Sequence, residues 1–369
     1  MSSRAKSKKT RCDHVLLITV LMLLGIGLVM VASASSYVAF NRTGDPYFFL
    51  KRQALFCLFG LGVMFCARYI PSKFYSKIVW PLLVVSFLLL VALFVPGIGH
   101  RVGGAVRWIK IGPFSFQPSE LAKVSLALFM AFSMASKGEE LKSFSKGLTP
   151  FLVVSFAFAG PLLFQPDVGT AVMIVAWSFI MLFVGGARFV HLSGIIALLL
   201  PFVFWVVQSQ PYRVRRFMAF LNPWADPTGI GFQVIHSFFA FASGGLLGVG
   251  IGASKEKLYY LPEPHTDFVF SILAEETGLL GVSVVVALFG ILIWRGLRVA
   301  LSATDLPGSY LAFAITLWIG LQVLVNMGVV LGLLPTKGLT LPLLSYGGSS
   351  ILITLLSIGI LLNISARSR

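Results

Sequence analysis

The sequence predicts an all-α integral membrane protein, a polytopic bundle of about ten transmembrane helices with one long extracytoplasmic loop between spans seven and eight. Composition and periodicity carry that prediction. Only 11% of the 369 residues are charged and 57% are hydrophobic, with a mean hydropathy of +0.92, a balance that no water-soluble domain shows. Apolar runs near the roughly 20 residues that cross a bilayer recur along the chain. They are too long and too uniformly apolar for barrel strands, which alternate over about ten residues.

In order, the spans fall at about 15–37, 48–67, 78–98, 117–135, 147–164, 168–186, 189–207, 267–294, 309–334 and 342–364. The second is the weakest, because Lys51, Arg52 and Arg68 crowd its ends. Residues 1–31 have the basic start and apolar core of a signal peptide, followed by Ala32-Ser33-Ala34 as a cleavage site. The run is long for that role and further spans follow, so it is expected to remain as the first helix. Arg4, Lys6, Lys8, Lys9 and Arg11 then hold the N-terminus in the cytoplasm. An even span count returns the C-terminus, with Arg367 and Arg369, to the same side. The expected organisation is a cytoplasmic tail at 1–14, one transmembrane domain at 15–366 with its outer loop at 208–266, and a short cytoplasmic end at 367–369. Cys12, Cys57 and Cys66 lie in the tail or the second span, so no disulfide framework or metal cluster is indicated.

Lys and Arg favour the inner segments only modestly, which leaves an unusually basic outer face. Either the long loop escapes the positive-inside rule, or these cations hold an anionic ligand. The helix starts favour the ligand. Spans four, six, eight and ten begin at the outer face with Gln117-Pro118-Ser119, Gln165-Pro166-Asp167, Pro264-His265-Thr266, and Pro342 ahead of Ser345. Helix N-termini present unpaired N–H groups and the positive end of the dipole, which suit phosphate.

The most informative segment is LPEPHTDF at 261–268, a His-Thr-Asp triplet at a membrane mouth behind Pro262 and Pro264. Asp267, Ser271, Glu275 and Gly278 fall on one helical stripe, and acids within a span face the bundle interior. An N-cap accounts for Asp267 alone, but not for the prolines, His265 and the acids below it. Asp267 is therefore the candidate catalytic carboxylate, with Glu275 and Glu276 as structural intramembrane acids.

Glu120 and Lys123 stand at i, i+3 in the first turn of span four, as a snorkelling pair or as ligand contacts. Arg107 lies with Arg101, Trp108 and Lys110 in a glycine-bounded outer segment, again open to a bland or a binding role. Arg213 and Arg216 open the long loop, whose part at 232–245 reads as an interfacial or re-entrant helix. Lys337 sits between two prolines ahead of Ser345-Tyr346-Gly347-Gly348. Arg107, Glu120, Lys123, Arg213, Arg216, His265, Lys337 and Ser345 form the candidate substrate-binding set. The glycine-rich run at 244–252 lacks the GK[ST] of a phosphate loop, and the histidines lack ligand spacing, so neither a nucleotide site nor a zinc site is expected.

Together, RWIKIGPFSFQPSELAK, QPDVGTA, LNPWADPTGIGFQ, YYLPEPHTDFVFSILAEETG and NMGVVLGLLPTKGLTLPLLSYGGSS resemble the SEDS family (shape, elongation, division and sporulation) over about residues 12–366. The NPWADP element, SKEKLYYLPEPHTDF and SYGGSS are most similar to its cell-division branch. The resemblance implies a peptidoglycan glycosyltransferase that polymerises lipid II at the outer face of the bacterial plasma membrane, at the division septum. It implies Asp267 as the catalytic aspartate, Lys337 as the loop lysine, and Glu120 and Lys123 as the fourth-span motif residues, with Arg107 just upstream. Ile235-His236-Ser237 departs from the family pattern, and Ala274-Glu275-Glu276 is a mild variation.

The implied chemistry agrees with the residues. A hydroxyl attacks an anomeric carbon while a lipid pyrophosphate departs, so one general base is needed. The leaving group needs charge stabilisation, not a second carboxylic acid. No cofactor is certain; a divalent cation, Mg or Mn, is compatible with that chemistry. Implied partners are lipid II, membrane lipid, a class B penicillin-binding protein as transpeptidase, and other division proteins; nucleic acid is not expected. Two readings compete: a lipid II flippase, which needs a polar path through the whole bilayer, and a non-catalytic division scaffold, in which Asp267 is dispensable.

Overall fold

The computed structural model describes residues 13–102, 105–112 and 114–367. The basic tail with Cys12, the pair Gly103-Gly104 and Arg369 lie outside the described residues. Seven helices precede the long loop: α1 (His14–Thr43), α2 (Phe48–Tyr69), α3 (Ser72–Ala92), α4 (Pro118–Lys137), α5 (Thr149–Phe164), α6 (Val168–Val184) and α7 (Phe189–Gln208). The loop folds into α8 (Pro211–Leu221), α9 (Phe232–Gly244) and α10 (Glu256–Tyr259). The chain then continues as α11 (Val269–Ser302), α12 (Leu306–Val330) and α13 (Gly348–Arg367). Among the described residues nine helices are long and apolar enough to cross a bilayer. The 17-residue α6 is a tenth apolar helix, about 25 Å long and at the lower limit for a span.

One small sheet interrupts the helices. Strands β1 (Gly99–Val102), β2 (Ala105–Ile111) and β3 (Phe114–Phe116) form an antiparallel meander, with His100 opposite Trp108 and Ile109 opposite Phe116. It rests on α13, because Ser349 Oγ donates to the Ser115 carbonyl at 3.2 Å and accepts from the Gln117 N–H at 3.2 Å. The sheet thereby fixes β2, and with it Arg107, above the helix ends.

The helices α4, α12 and α13 form the buried centre, with α2 packed along α13 and α1 along α11. Lipid tails are as apolar as Leu, so association of spans depends on close packing of small residues. Gly359 of α13 lies directly on the backbone of Met64 in α2, leaving no room for a Cβ. The end away from the sheet is closed by polar ties. Asp13 caps α1 through the Leu16 N–H at 3.0 Å and pairs with Arg295 at 2.6 Å. Asn363 donates to the Arg68 and Ile70 carbonyls where α2 turns into α3. By contrast, α7 packs chiefly on α6 and α8, and most of its side chains face outward.

The 34-residue α11 is broken at Gly278, whose φ of 64° and ψ of −165° are not helical. The glycine-rich run after α9 repairs the break. Val249 and Gly250 donate N–H groups to the Glu275 and Glu276 carbonyls at 3.0 and 3.1 Å, and Leu279 and Leu280 donate to the Gly245 and Leu246 carbonyls. Within a bilayer, backbone groups freed by a break must be satisfied by protein. A Cβ at Gly278 would strike the backbone of Leu246 and Gly248, so the approach requires glycine.

Candidate active site

The segment before α11 and the segment before α13 run side by side. Tyr346 N–H donates to the His265 carbonyl at 2.8 Å, and Ser345 Oγ donates to the Thr266 carbonyl at 2.5 Å while accepting from the Leu341 N–H at 2.8 Å. Asn326, near the end of α12, clamps both by donating Nδ2 to the Leu339 carbonyl at 2.5 Å and the Asp267 carbonyl at 3.0 Å. These bonds bring the Asp267 carboxylate against Gly338, where an added Cβ would stand 2.7 Å from Oδ2. Asp267 itself lies two residues ahead of α11, half-buried among protein atoms.

The Lys337 side chain crosses the first turn of α6, lying on Gly169 so closely that a Cβ there would displace it, and its Nζ reaches Thr170 Oγ1 at 3.4 Å. Asp167 caps that turn by accepting from the Thr170 N–H at 3.4 Å. Arg107 arrives from β2, donating Nη2 to the Pro166 carbonyl at 2.7 Å with Nε 3.9 Å from Asp167 Oδ2. One layer deeper, Lys123 Nζ pairs with Glu120 Oε1 at 2.6 Å, bonds Gln322 Oε1 at 3.2 Å, and sits 5.4 Å from the Trp318 ring centre. Gln322 in turn donates to the Thr340 carbonyl at 2.9 Å, so the pair is wired to the loop that carries Lys337. Below it, a cavity of about 20 Å³ lined by Glu120, Lys123, Gln322, Thr354 and Ser357 has room for about one water.

Burial pushes the Asp267 carboxyl up to about 7; Glu263 adds to the shift, while Arg107, Arg216 and Lys337 oppose it. Burial likewise pulls the Lys337 ammonium down to about 7, against the attraction of Asp167 and Asp267 and with the repulsion of Lys123 and Arg107. Both groups therefore change charge near neutrality, where a proton-transfer pair is most useful. The His265 ring is drawn down to about 4 chiefly by burial. It packs on Phe49 at 4.6 Å and Tyr346 at 5.6 Å.

Not every expected residue converges here. Arg216 is exposed, 5.9 Å from the Tyr212 ring, and reaches Asp267 only through its field. Arg213 turns back to α7, donating Nη1 to the Val206 carbonyl at 2.8 Å. Glu275 and Glu276 form a separate cluster at the α11 break. Glu275 accepts from Ser254 Oγ and from the Lys255 N–H, and Glu276 accepts from Lys257 Nζ at 2.7 Å and Ser33 Oγ at 2.5 Å. Asp167, Thr170, Gln322 and Asn326 were not among the expected site residues. A Gln and an Asn inside apolar runs were the available signal, because polar groups in a span need a partner. No group of three carboxylate, imidazole or thiol side chains that could cage a metal occurs among the described residues.

A helical bundle that gathers a near-neutral carboxylate and lysine among further cations, at one membrane end, defines a multi-pass membrane protein built to handle an anionic substrate. Residues 14–369 match the sequence profile of the cell cycle protein family of FtsW, RodA and SpoVE, and the chain belongs to that family. It is 46% identical over 359 residues to a probable peptidoglycan glycosyltransferase FtsW of Geobacter metallireducens, covering 97% of this chain and 96% of that protein. Stage V sporulation protein E of Bacillus subtilis is 44% identical over 374 residues, covering 98% and 99%. Among solved structures, a chain of a peptidoglycan synthase complex that coordinates polymerization and crosslinking superposes with a TM-score of 0.81 at 34% identity, covering 96% of this chain and 97% of that one. The Thermus thermophilus rod shape determining protein RodA gives 0.69 at 30% identity, covering 96% of each chain.

Proposed function

We propose that this protein polymerises lipid II into glycan strands at the outer face of the plasma membrane during cell division, with Asp267 as general base. The observation that carries the reading is the Asp267 carboxylate, tuned to about 7 and bordered by Lys337 and Arg107. The names of the relatives support the activity. In this reading the acceptor hydroxyl gives its proton to Asp267 as its oxygen bonds the anomeric carbon, and the bond to the lipid pyrophosphate breaks. Lys337 and Arg107 meet the charge that develops on the leaving group, as fixed cations do at a developing oxyanion. Arg107 is held by Pro166 and Asp167, so it is aimed before substrate arrives. Glu120 neutralises Lys123 and supports the loop through Gln322, whereas His265 and Ser345 act by holding Asp267 in place. Arg213 and Arg216 lie on the approach rather than at the reacting atoms. A Mg or Mn ion would depend on substrate phosphates for most of its ligands, because no protein cage for it occurs among the described residues.

The same reading places both termini in the cytoplasm and the sheet, the long loop and the Asp267 groove outside. It assigns a class B penicillin-binding protein as transpeptidase partner at the septum, in keeping with the synthase complex to which the similar structure belongs.

The test is polymerisation of labelled lipid II by reconstituted protein with its transpeptidase partner, followed across pH. Asp267 must lose its proton, so kcat/KM rises through about 7; Lys337 must keep its proton, so kcat/KM falls above about 7. The two groups interact, and the apparent values belong to the pair. A narrow bell is expected, and Lys337→Arg, which cannot lose its charge, is expected to remove the alkaline limb while lowering the maximum. An unchanged alkaline limb in that variant would take Lys337 out of the mechanism. Lipid II crossing vesicles without glycan product would replace polymerisation with transport.

A further inference from the structure

At the end of the bundle opposite Asp267 lies an open cleft of about 560 Å³, lined by Glu139, Lys142, Ser143, Phe144, Arg188 and His191. None of these residues takes part in the chemistry above. Its walls are the 3₁₀ turn Gly138–Lys142, the π turn Phe144–Leu148 and the first turn of α7. They are locked together by close backbone approach. Gly147 sits on the Glu140 carbonyl and the Leu141 backbone without space for a Cβ, and the Met134 side-chain methyl lies over Gly185. Leu141, Leu148 and Ala187 are buried beneath them. The cleft is therefore a preformed feature rather than a gap between mobile loops.

Its polar groups lean toward an anion. Arg188 stands at the N-terminus of the 20-residue α7 and forms no ion pair among the described residues. Lys142 pairs with Glu139, an acid that is 87% exposed and so free to leave it. The ring of His191 packs edge-on to Phe144, 5.5 Å between centres, and its Nδ1 is buried with no hydrogen-bond partner. Apolar side chains adjoin the lining: Phe144 belongs to it, Phe189 and Val190 separate Arg188 from His191 in the chain, and Phe183 packs on Phe189; all four are about half to three-quarters exposed. Such a rim belongs against acyl chains, not open solvent.

We infer that this cleft binds the phosphodiester headgroup of an anionic phospholipid in the leaflet opposite the catalytic groove. Arg188 and Lys142 face the phosphate beside the His191 ring, and Phe144, Phe189 and Val190 flank the chains. An acidic protein segment would meet the same cations but would leave this aromatic rim without a counterpart, so the lipid fits better. Basic pockets between spans are the usual place for such headgroups.

The experiment titrates full-length protein in neutral detergent with dioleoyl phosphatidylglycerol and with dioleoyl phosphatidylcholine, and counts retained lipid by native mass spectrometry. Arg188→Gln is expected to weaken phosphatidylglycerol binding about five-fold, the effect of one interfacial charge. Glu139→Gln is expected to strengthen it by a similar factor, and neither change should alter phosphatidylcholine. Opposite shifts from two substitutions at exposed side chains cannot come from a folding defect. Equal phosphatidylglycerol affinity in all three proteins would overturn the site. Displacement of the lipid by millimolar inorganic phosphate, or by an Asp/Glu-rich peptide, would overturn the lipid assignment.

Discussion

Asp267→Asn is expected to lower glycan synthesis by at least about a hundredfold, the scale of a lost general base, while thermal stability and lipid II binding stay near wild type. The amide matches the carboxyl in size, so the contact with Gly338 and the clamp from Asn326 to the Asp267 carbonyl both survive. The wild-type carboxyl is pushed up to about 7, so near neutrality a large share of it is already uncharged. A neutral amide therefore reproduces a state the folded protein already populates, and only the capacity to take a proton is lost. Polymerisation of labelled lipid II, lipid II binding and the melting midpoint would be measured on one preparation. Retention of more than about a tenth of the wild-type rate would show that the hydroxyl proton goes elsewhere. A full loss accompanied by a collapsed melting midpoint would recast Asp267 as structural.

The spans were legible because a bilayer demands length and apolarity, and both can be read one residue at a time. Their edges were not. The span expected at 78–98 is Ser72–Ala92, because Pro96 and Gly97 turn an apolar run out of the helix. The span expected at 342–364 begins only at Gly348. The apolar residues before it form a turn in which Leu343 adopts φ 66°, a conformation set by packing around it. The meander at 99–116 lay in a stretch where alternation over three to seven residues was too short to register against long apolar runs.

At the site, Asp267 stood out through its chemistry and flanking prolines, but its stripe with Ser271, Glu275 and Gly278 is not one continuous helix. Asp267 precedes the helix, and Gly278 breaks it. Asp167 read as a helix start and no more. Its pairing with Arg107 depends on the sheet that sets β2 above α6, a long-range arrangement that no local pattern encodes. The glycine-rich run at 244–252 was separable from a phosphate loop by its missing GK[ST]. Its use as a patch on a broken helix became visible only with α11 beside it.

That patch leads to the second large effect, expected of Lys257→Met. Lys257 and Glu276 are paired at 2.7 Å with side chains 5% and 0% exposed, and Lys257 Nζ also bonds Ser33 Oγ at 2.9 Å and the Gly252 carbonyl at 2.7 Å. One ammonium thus ties α1, the strap before Asp267 and the broken turn of α11. Removing it leaves a buried carboxylate without its counter-charge, which costs about 3–5 kcal/mol where a pair is broken from one side. The strap would also lose its anchor ten residues upstream of Asp267, and a shift of about 1 Å at a reacting group can cost about a hundredfold in rate. The melting midpoint and glycan synthesis should therefore fall together. Lys257→Met combined with Glu276→Leu separates the two causes. Removing both charges should restore most of the stability, because the desolvation penalty disappears with the pair. Activity should recover less, since the bonds to Ser33 and Gly252 stay broken. A single variant that melts like wild type would mean that the cluster is already wet and carries no load.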